Sequence, residues 1–456
     1  RDDGRRDLLR DGLRPSSERD RRCSALSRSV LIVGTTPDYV VKLYERYSSS
    51  LLFLTDRRFQ EAPLLKKLPS VSLIFASLEN SEDACRRTQD VLKARLAAPD
   101  GIACFDCDSL LLASRLGSEL GKRFPAWEAI ARCRSKFESK KIWTGRGVAS
   151  PTASIASSLQ GTIDFFKSHG ENLVLKPLAG SGSELLFHCR DESDVTKAVT
   201  ILEEELPKRR GNPLFRPFPN PAGGSFIDPC SCWVAEEYIS GPEFSCDFVL
   251  QHDEIFFIRE TGKIKARDKP FGSVLAYTFP PRYPAAFQKR VLKEVLKKAT
   301  HSLGFDWGYF MVDYILHEGT PILIEMTPRP GGDSIPELVR AATGLDTLAL
   351  YLDFVQGDFK EPKGLSLPPE SFASLNFFAP MEGKIQVLDG RKVQASPHVR
   401  KLFFKKHVGD RVILPPKDYD NRLLGYCIIE VTPGSDLVAE TQRLQELLEV
   451  RIEQHA

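Results

Sequence analysis

The sequence lacks several features that would assign it to a simple class. Its 456 residues contain 63 lysines and arginines against 61 acids, so the net charge is only +2 and no large field attracts nucleic acid or a membrane surface. No apolar run approaches the roughly 20 residues of a membrane-spanning helix. The first residues are charged and do not form a basic and then apolar signal peptide. We therefore expect a cytoplasmic protein in which a few neighbouring residues, and not the overall charge, bind any anionic ligand.

Cysteine and glycine motifs are also sparse. Ten cysteines in a chain this long do not make a disulfide scaffold. The C-x-x-C of Cys104 and Cys107 has no second pair to complete a zinc site, and we interpret both as buried thiols near a strand end. The turn after VLIVG lacks G-x-G-x-x-G, and no G-x-x-x-x-G-K-[ST] occurs. These absences disfavour a dinucleotide site and a P-loop ATPase.

The pattern that is present changes at residue 29. Residues 1–28 begin at an arginine and mix both charges with few apolar residues, so we expect a disordered or trimmed tail. Beyond them, SVLIVG, LLFLTD, SLIFASL and GIACFD read as short buried strands separated by helical segments. Alternating strands and helices predict a parallel sheet covered on both faces. The length suits two to four domains.

Two middle segments carry candidate binding residues. ENLVLKPLAGSGSELLFHC predicts a strand ending near Lys176, a loop with glycines at 180 and 182, and a second strand. Such a loop can direct several backbone N–H groups at one anion, although a hairpin with a surface lysine gives the same pattern. The segment CWVAEEYISGPEFSCDFVL has two interpretations. It is a solvated strand edge, or it is a hinge whose backbone groups pair with a purine. In the second case the Glu243 carboxylate accepts hydrogen bonds from the ribose hydroxyls.

The segment WGYFMVDYILHEGTPILIEMTPRP predicts a β-hairpin with residues 318–320 as its loop. With that loop, Asp313 lies opposite Glu325, and Thr327 and Arg329 share the face of Glu325. The opposite face is then directed to the core, and it carries Ile322, Ile324 and Met326. Facing carboxylates repel, and Mg²⁺ held by carboxylates and substrate phosphates would compensate. The alternative is a surface acidic pair neutralised by Arg329.

Taken in order, these segments resemble the ATP-grasp ligases. The resemblance rests on Lys136, VLKPLAGSGS, EEYISGPEFS, Asp313 and IEMTPRPGG. EEYISGPEF is similar to the adenine and ribose segment of D-alanine:D-alanine ligases. TPRPGGDSIPELV, SLNFFAPMEGKIQVLDG and LLGYCIIEVTPGSDLVAETQRLQELLEV resemble the L-amino acid ligases and carnosine-synthase-like enzymes. With the amino-terminal α/β unit, the resemblance covers nearly everything after residue 28.

The resemblance implies an α/β architecture in three parts. A parallel α/β domain would occupy residues 29–132, and an ATP-grasp domain of α+β lobes residues 133–358. A lid subdomain would lie within the latter, roughly at residues 150–250. A carboxy-terminal α+β domain would occupy residues 359–456.

The resemblance also implies cofactors and site residues. The cofactors would be ATP and Mg²⁺, with Mn²⁺ able to replace it. The nucleotide would contact Lys136, Lys176, Gly180, Ser181, Gly182, Glu236, Glu237, Ile239, Glu243 and Lys265. A phosphate-contacting cation is expected in TGKIKARDK, where Lys263, Lys265 and Arg267 all qualify.

Metal, catalytic and substrate residues complete the implied site. Asp313 and Glu325 would hold magnesium together with Thr327, which stands where most relatives have asparagine. Arg329 and Lys176 would act in catalysis, with Arg329 on the substrate carboxylate and then the acyl phosphate. The remaining substrate contacts would come from Asp333 on the amine and from Tyr277 or Phe271 as pocket walls.

The implied activity is ATP-dependent joining of a carboxylate to an amine through an acyl phosphate, with an amino acid substrate and release of ADP and phosphate. The partners would be small-molecule acid and amine substrates, without nucleic acid or membrane, and a homodimer stays open. Two alternatives remain at this point: a carboxylase-type enzyme that uses bicarbonate, and a non-catalytic nucleotide-binding module.

Overall fold

The computed structural model describes residues 29–47, 50–95, 98–170, 172–219, 226–362, 371–432 and 434–454. The tail expected at residues 1–28 lies outside the described residues. Within them, no helix is both long enough and apolar enough to span a membrane.

The amino-terminal unit is a parallel sheet with helices, as the alternating pattern predicts. Its elements are β1 Val30–Val33, α1 Pro37–Tyr47, β2 Leu51–Asp56, β3 Leu73–Ala76, α2 Ser81–Ala94, β4 Gly101–Ala103, α3 Leu110–Glu119 and α4 Trp127–Arg134. The strand order is β3-β2-β1-β4, and each pair is parallel. Parallel strands bring their carboxyl ends to one edge, so the segments after β1 and β4 meet there.

The middle of the chain forms a small antiparallel sheet. Its elements are α5 Lys136–Gly145, β5 Ala153–Ala156, α6 Leu159–His169, β6 Leu173–Pro177, β7 Phe187–Cys189, α7 Glu192–Glu205, β8 Phe218–Pro219, β9 Phe226–Ile227 and β10 Trp233–Glu237. The sheet order is β5-β10-β6-β7, and β8 pairs with β9 separately. Short 3₁₀ turns occur at Arg57–Phe59, Leu65–Lys67, Ser70–Ser72, Pro207–Arg209 and Pro213–Phe215.

The remaining chain builds a large antiparallel sheet of order β15-β14-β11-β12-β13-β16-β20-β18 and a small sheet of order β19-β17-β21. Their elements are β11 Glu243–Gln251, β12 Glu254–Lys265, β13 Val274–Phe279, α8 Lys289–Leu303, β14 Gly308–His317, β15 Thr320–Thr327, α9 Ile335–Thr343, α10 Thr347–Val355, β16 Ser371–Phe378, β17 Gly383–Asp389, α11 Arg391–Gln394, β18 Val399–Phe404, β19 Arg411–Val412, β20 Leu423–Val431, α12 Leu437–Leu447 and β21 Glu449–Glu453.

The large sheet crosses the predicted boundary between residues 358 and 359. Strand β13 pairs with β16, so the carboxy-terminal strands extend the same sheet that carries β14 and β15. The division into domains stays a prediction.

Strands β14 and β15 form the predicted hairpin, with a different turn. His317 pairs with Thr320, so the loop is Glu318 and Gly319 alone, both at positive φ, as a two-residue hairpin turn favours. This turn would place Asp313 opposite Ile324. A register shift between Asp313 and Tyr314 moves the pairing by one residue and restores the predicted pair of Asp313 with Glu325.

Because of the same irregularity, the predicted core face of β15 is partly wrong. Leu323 and Met326 are buried in the core, whereas Ile322 and Ile324 are only partly buried. The extra residue in β15 shifts the alternation of side chains, so a strict period of two fails across it.

Strand β14 is regular and separates the core from the site. Val312 and Tyr314 pack in a core cluster that also contains Leu292 and Leu296 of α8. The alternate side chains of the same strand, Met311 and Asp313, line a cavity on the other face.

Candidate active site

Two cavities lie side by side above the large sheet. The larger has a volume of about 300 Å³ and the smaller a volume of about 130 Å³. Both are lined by Lys136, the loop at 179–183, Lys263, Asp313 and Glu325. These residues therefore form the region where the two cavities meet.

The smaller cavity gathers the whole predicted nucleotide set. All ten residues line it, namely Lys136, Lys176, Gly180, Ser181, Gly182, Glu236, Glu237, Ile239, Glu243 and Lys265. They come from α5, β6 and the loop after it, the segment from β10 to β11, and β12. The structure thus brings together residues that are up to 129 positions apart in the sequence, counting from Lys136 to Lys265.

Phe271, which was expected as a wall of a substrate pocket, lines this smaller cavity. The Lys265 ammonium lies 5.3 Å from the centre of its ring. Tyr238, another wall residue, stacks on His188 with ring centroids 4.1 Å apart. Aromatic faces beside hydrogen-bonding groups suit a purine ring.

A buried lysine pair surrounds Glu236. Its Oε2 lies 2.7 Å from Lys176 Nζ, and its Oε1 lies 3.0 Å from Lys140 Nζ. Lys140 also donates to the Ile324 carbonyl at 2.7 Å. Burial lowers the pKa of Lys140 to about 7 in spite of the nearby Glu236 charge. The carboxyl group of Glu236 thus lies between the side-chain nitrogens of two lysines.

Lys140 is a residue that the sequence interpretation missed. It follows Lys136 by four positions on α5, so the two side chains leave the same helix face. That spacing is the signal that could have identified it.

The paired acids at the junction of the cavities each have a cation beside them. Asp313 Oδ2 accepts from Lys263 Nζ at 2.5 Å, and Glu325 Oε2 lies 3.5 Å from Lys136 Nζ. Burial raises the pKa of Asp313. Burial also opposes ionisation of Glu325, but the charges of Lys136, Lys176 and Lys263 lower its pKa to about 2.

Of the three basic residues predicted to contact a phosphate, Lys263 lines both cavities and Lys265 lines the smaller one. Lys263 also donates to Glu243 Oε1 at 3.0 Å, and Lys265 Nζ lies 2.5 Å from Glu243 Oε2. Arg267 is absent from both linings.

The acid pair fits a magnesium ion that is bound partly by substrate. Asp313 Oδ1 is buried and has no hydrogen-bond partner among the residues that the structure describes, so it can bind a cation. Across the described residues, no group of three or more His, Cys, Asp or Glu could hold a metal by itself. Two carboxylates would therefore need phosphate oxygens and water as the remaining ligands, which is the usual arrangement for Mg²⁺.

Arg329 and Thr327 lie on the larger cavity at the end of β15. Arg329 Nε donates to Cys107 Sγ at 3.1 Å, and Thr327 Oγ1 lies 3.7 Å from the same sulfur. Burial would lower the pKa of Arg329, but Cys107 and Asp106 raise it, so the guanidinium remains charged.

This contact corrects the interpretation of Cys107 as a buried thiol. Cys104 is buried, but Cys107 is only partly buried and lines the larger cavity. The chain turns after β4, and this turn carries Cys107 over the edge of the parallel sheet toward the end of β15. A C-x-x-C spacing alone does not show that its two side chains point to different environments.

The other predicted substrate residues also line the larger cavity. The Tyr277 hydroxyl donates to Asp333 Oδ2 at 3.4 Å, and Asp333 has a φ of 53°. The lining further includes residues that sequence reasoning missed, namely Cys107, Arg134, Asn376, Asp420 and Arg422. Asn376, Asp420 and Arg422 come from the carboxy-terminal region, where no local pattern marks a site.

The loop at 179–183 is held across both cavities. Lys136 Nζ donates to the Gly180 carbonyl at 2.8 Å, and Ser183 Oγ donates to the Gly272 carbonyl at 2.9 Å. Gly182 has a φ of 66°, and a Cβ on it would lie 2.9 Å from Asp420 Oδ1. The left-handed conformation therefore favours glycine at 182, and a side chain there would displace the Asp420 carboxylate.

Comparisons with known proteins agree with this arrangement. A family model described as an ATP-grasp domain matches residues 169–337. The protein y4rH of Sinorhizobium fredii is 24% identical over 313 residues, which are 68% of this chain and 59% of that protein. Dapdiamide A synthase of Enterobacter agglomerans is 24% identical over 255 residues, or 56% of this chain and 54% of that enzyme. The chain thus spans little more than half the length of either relative.

A solved structure extends the likeness to nearly the whole chain. The L-amino acid ligase of Bacillus licheniformis is similar with a TM-score of 0.72 and 17% identity, over 94% of this chain and 99% of that enzyme. The prediction of an ATP-grasp domain is confirmed for residues 169–337, and the mixed α/β fold is confirmed as well. The roles of individual residues, the substrates and the mechanism stay predictions.

Proposed function

We propose that this chain, whose central region is an ATP-grasp domain, is an ATP-dependent ligase that joins a carboxylate to an amine through an acyl phosphate. The observation that carries this proposal is the junction of the two cavities at Asp313 and Glu325. A nucleotide in the smaller cavity would have its terminal phosphate at this junction. Arg329 would then face that phosphate from the larger cavity.

The smaller cavity would bind Mg·ATP. Glu237 and Ile239 would offer backbone groups to the purine beside Phe271, and Glu243 would accept from the ribose hydroxyls. Lys136, Lys176 and the loop at 179–183 would contact the phosphates. A magnesium ion bound at Asp313 and Glu325 would neutralise charge on the transferring phosphoryl group.

Arg329 would hold the carboxylate substrate for in-line attack. A carboxylate oxygen attacks the γ phosphorus, the bond from that phosphorus to the ADP oxygen breaks, and ADP takes the electron pair. Planar guanidinium groups suit both the carboxylate and the acyl phosphate that it becomes. The protein's main contribution is positioning and charge neutralisation.

The amine then attacks the acyl carbon. The carbon–oxygen bond to phosphate breaks, phosphate takes the electron pair, and the amine nitrogen loses its proton as the amide forms. Water would compete for the same intermediate. The loop at 179–183, held by Lys136 and Ser183, would exclude it.

An amino acid substrate is the class that we propose. Two of the similar proteins are an L-amino acid ligase and dapdiamide A synthase, and a cavity of about 300 Å³ could hold small substrates of that kind.

Isotope transfer tests the acyl phosphate. The protein is incubated with Mg·ATP and the standard L-amino acids carrying ¹⁸O in their carboxyl groups. The isotopic mass of the released phosphate is then measured by mass spectrometry. One ¹⁸O atom in the phosphate is the expected result. Phosphate that acquires ¹⁸O from labelled bicarbonate, but from no amino acid, would favour the carboxylase alternative. Nucleotide binding without any turnover would favour the non-catalytic module.

A further inference from the structure

A buried ion pair lies beneath the turn that carries Arg329. Asp247 of β11 and Arg259 of β12 face each other in the large sheet, and their side chains are 2% and 0% exposed. Arg259 Nη2 donates to Asp247 Oδ1 at 2.6 Å, and Arg259 Nη1 donates to Thr261 Oγ1 at 2.9 Å. A buried ion pair often adds little net stability, so its use has to be sought in the geometry that it imposes on its neighbours.

One peptide group joins this pair to the turn. The N–H of Gly331 donates to Asp247 Oδ2 at 3.0 Å, with a longer contact of 3.2 Å to Oδ1. The carbonyl of the same peptide group belongs to Pro330, and it accepts from Arg329 Nη1 at 2.6 Å. Because a peptide group is planar, its N–H and its carbonyl turn together. The orientation that Asp247 imposes on the N–H therefore sets the place where the carbonyl meets the guanidinium.

The turn rests directly on the ion pair at Gly331. A Cβ on this residue would lie 2.3 Å from Arg259 Nη2 and 3.1 Å from Asp247 Oδ1. Arg259 cannot move aside easily, because its side chain is buried and is bonded to both Asp247 and Thr261. A side chain at position 331 would thus lift the turn away from the pair.

Two contacts set the guanidinium plane of Arg329. Its Nη1 is held by the Pro330 carbonyl, and its Nε donates to Cys107 Sγ at 3.1 Å. A guanidinium binds a carboxylate best through two parallel N–H bonds, so the contact depends on the orientation of that plane. If the peptide group turned, the first contact would be lost and the guanidinium could rotate away from the carboxylate.

We propose that Asp247 and Arg259 are positioning residues, which act through the peptide group between residues 330 and 331 to orient Arg329 toward the substrate carboxylate. This inference rests on the proposed ligase function, in which Arg329 binds the acid that is activated. Neither member of the pair touches the substrate. Their effect should therefore appear in the use of the acid and not in the use of ATP.

Asp247→Asn is the first test. An amide has a single acceptor oxygen, so it cannot accept from both Arg259 and the Gly331 N–H. The assay is ATP-dependent hydroxamate formation, with each standard L-amino acid as the acid and hydroxylamine as the nucleophile. The kcat/KM for the acid should fall by about 10- to 100-fold through a higher KM, because a small misplacement of a substrate-binding group is costly. The KM for ATP should stay within about 2-fold of the wild-type value.

Gly331→Ala tests the same contact from the other side, and it answers the question if Asp247→Asn yields too little folded protein. The added methyl group displaces the turn while the ion pair keeps both charges, so the KM for the acid should rise and the KM for ATP should not. Two exposed changes serve as controls. Asp253→Asn lies in the turn between β11 and β12, and a Cβ on Gly211 would meet nothing within 4 Å. Asp253→Asn and Gly211→Ala should both leave the two KM values unchanged.

The kinetic pattern separates positioning from a loss of folded protein. A lower kcat with both KM values unchanged would report a smaller folded fraction and would overturn the positioning role. An equal rise of both KM values would overturn it too, and the ligase function would stand in either case. No hydroxamate from wild-type protein with any standard amino acid would overturn the ligase function and this inference together.

Discussion

At the residue scale, the site is a set of buried charges that compensate each other in specific pairs. Glu236 is shared by Lys140 and Lys176, and Lys263 connects Glu243 with Asp313. Burial makes each unpaired member expensive, so removal of one partner affects the others. Binding of ATP and magnesium would rearrange these pairs, since phosphate oxygens compete for the same lysines.

Loss of Lys140 should weaken both the fold and the nucleotide site. Lys140→Met leaves Glu236 with Lys176 as its remaining lysine partner of the two, and we expect the free energy of unfolding to fall by about 2 kcal/mol. Glu236 should then hold Lys176 more tightly, which should raise the KM for ATP by about tenfold. Urea unfolding and steady-state kinetics measure the two effects.

Lys141→Met is the matched control, because Lys141 lies on the same helix with its side chain 56% exposed. We expect a change within about 0.5 kcal/mol for it. Equal unfolding free energies for the two variants would contradict the pairing described for Glu236.

Thr327 gives a second prediction at this scale. A threonine hydroxyl is shorter than an asparagine amide and is a poorer ligand, so Thr327→Asn should lower the Mg²⁺ concentration that gives half-maximal activity by about 3- to 10-fold. The measurement is a magnesium titration of ADP release at saturating ATP. Thr320→Asn, at the exposed start of the same strand, should titrate like wild type, and an unchanged titration for Thr327→Asn would exclude a role of Thr327 at the metal.

At the element scale, the hairpin of β14 and β15 shows what the sequence can and cannot predict. The alternation of side chains, with a loop taken as residues 318–320, predicted the hairpin and placed Asp313 opposite Glu325. The shorter turn and the compensating irregularity in β15 were not predicted, because the turn type and a bulge depend on packing that the local pattern does not record. The shorter turn and the irregularity offset each other at Asp313 and Glu325, so this pair was predicted correctly. The burial of Ile322 and Ile324 was not, because both are only partly buried.

The residues that line the smaller cavity were largely predictable as one group, whereas many residues of the larger cavity were not. Lys176, the glycine loop and Glu243 lie in short motifs with a recognisable spacing. Cys107 and Arg422 reach the larger cavity from the amino-terminal sheet and the carboxy-terminal strands. Only the three-dimensional fold brings such distant single residues together.

The loop at 179–183 depends on a contact with the carboxy-terminal region. Arg209 pairs with Glu184, next to this loop, at 2.9 Å, and its Nη2 donates to the carbonyls of Pro416 and Lys417 at 2.7 and 3.0 Å. Arg209→Lys cannot make all these bonds. We expect the loop to open more often, with about tenfold more phosphate released per amide formed, because water then reaches the acyl phosphate.

The ratio of phosphate to amide product measures this uncoupling. Arg210→Lys is the matched control, since Arg210 is 69% exposed and pairs only with Asp228 among the residues described. A ratio near 1 for Arg209→Lys would show that the contact with the carboxy-terminal region does not govern loop closure.

At the scale of the whole molecule, Glu337 on α9 joins three parts of the chain. It pairs with Lys42 and Arg46 of α1 and with Lys401 of β18. Burial alone would raise the pKa of Glu337, but the hydrogen bond from Lys401 and the charges of Lys42 and Arg46 lower it to about 2. The folded state therefore favours the ionised carboxylate.

A lowered carboxylate pKa gives a definite pH dependence. The stability from Glu337 is fully present above its unfolded pKa of 4.5 and is lost as the pH falls toward about 2. Glu337→Gln should thus reduce the free energy of unfolding by about 2 kcal/mol at neutral pH and by much less at pH 3. Urea unfolding at both pH values measures the difference.

Glu430→Gln is the control for that prediction, because Glu430 pairs with the half-exposed Arg400 at the surface. We expect a small and nearly constant effect for it. If Glu337→Gln lowers the free energy of unfolding as much at pH 3 as at neutral pH, the proposed dependence of stability on the Glu337 pKa is contradicted.

The central claim is that the protein cleaves ATP to ADP and phosphate in order to join two substrates that meet in the larger cavity. The most direct measurement is phosphate release from Mg·ATP with the standard amino acids singly and in pairs, followed by mass spectrometry of every positive mixture. The account predicts release that requires both members of a pair, with a product mass equal to their sum less one water. Release that depends on no amino acid, without any product of that mass, would contradict it.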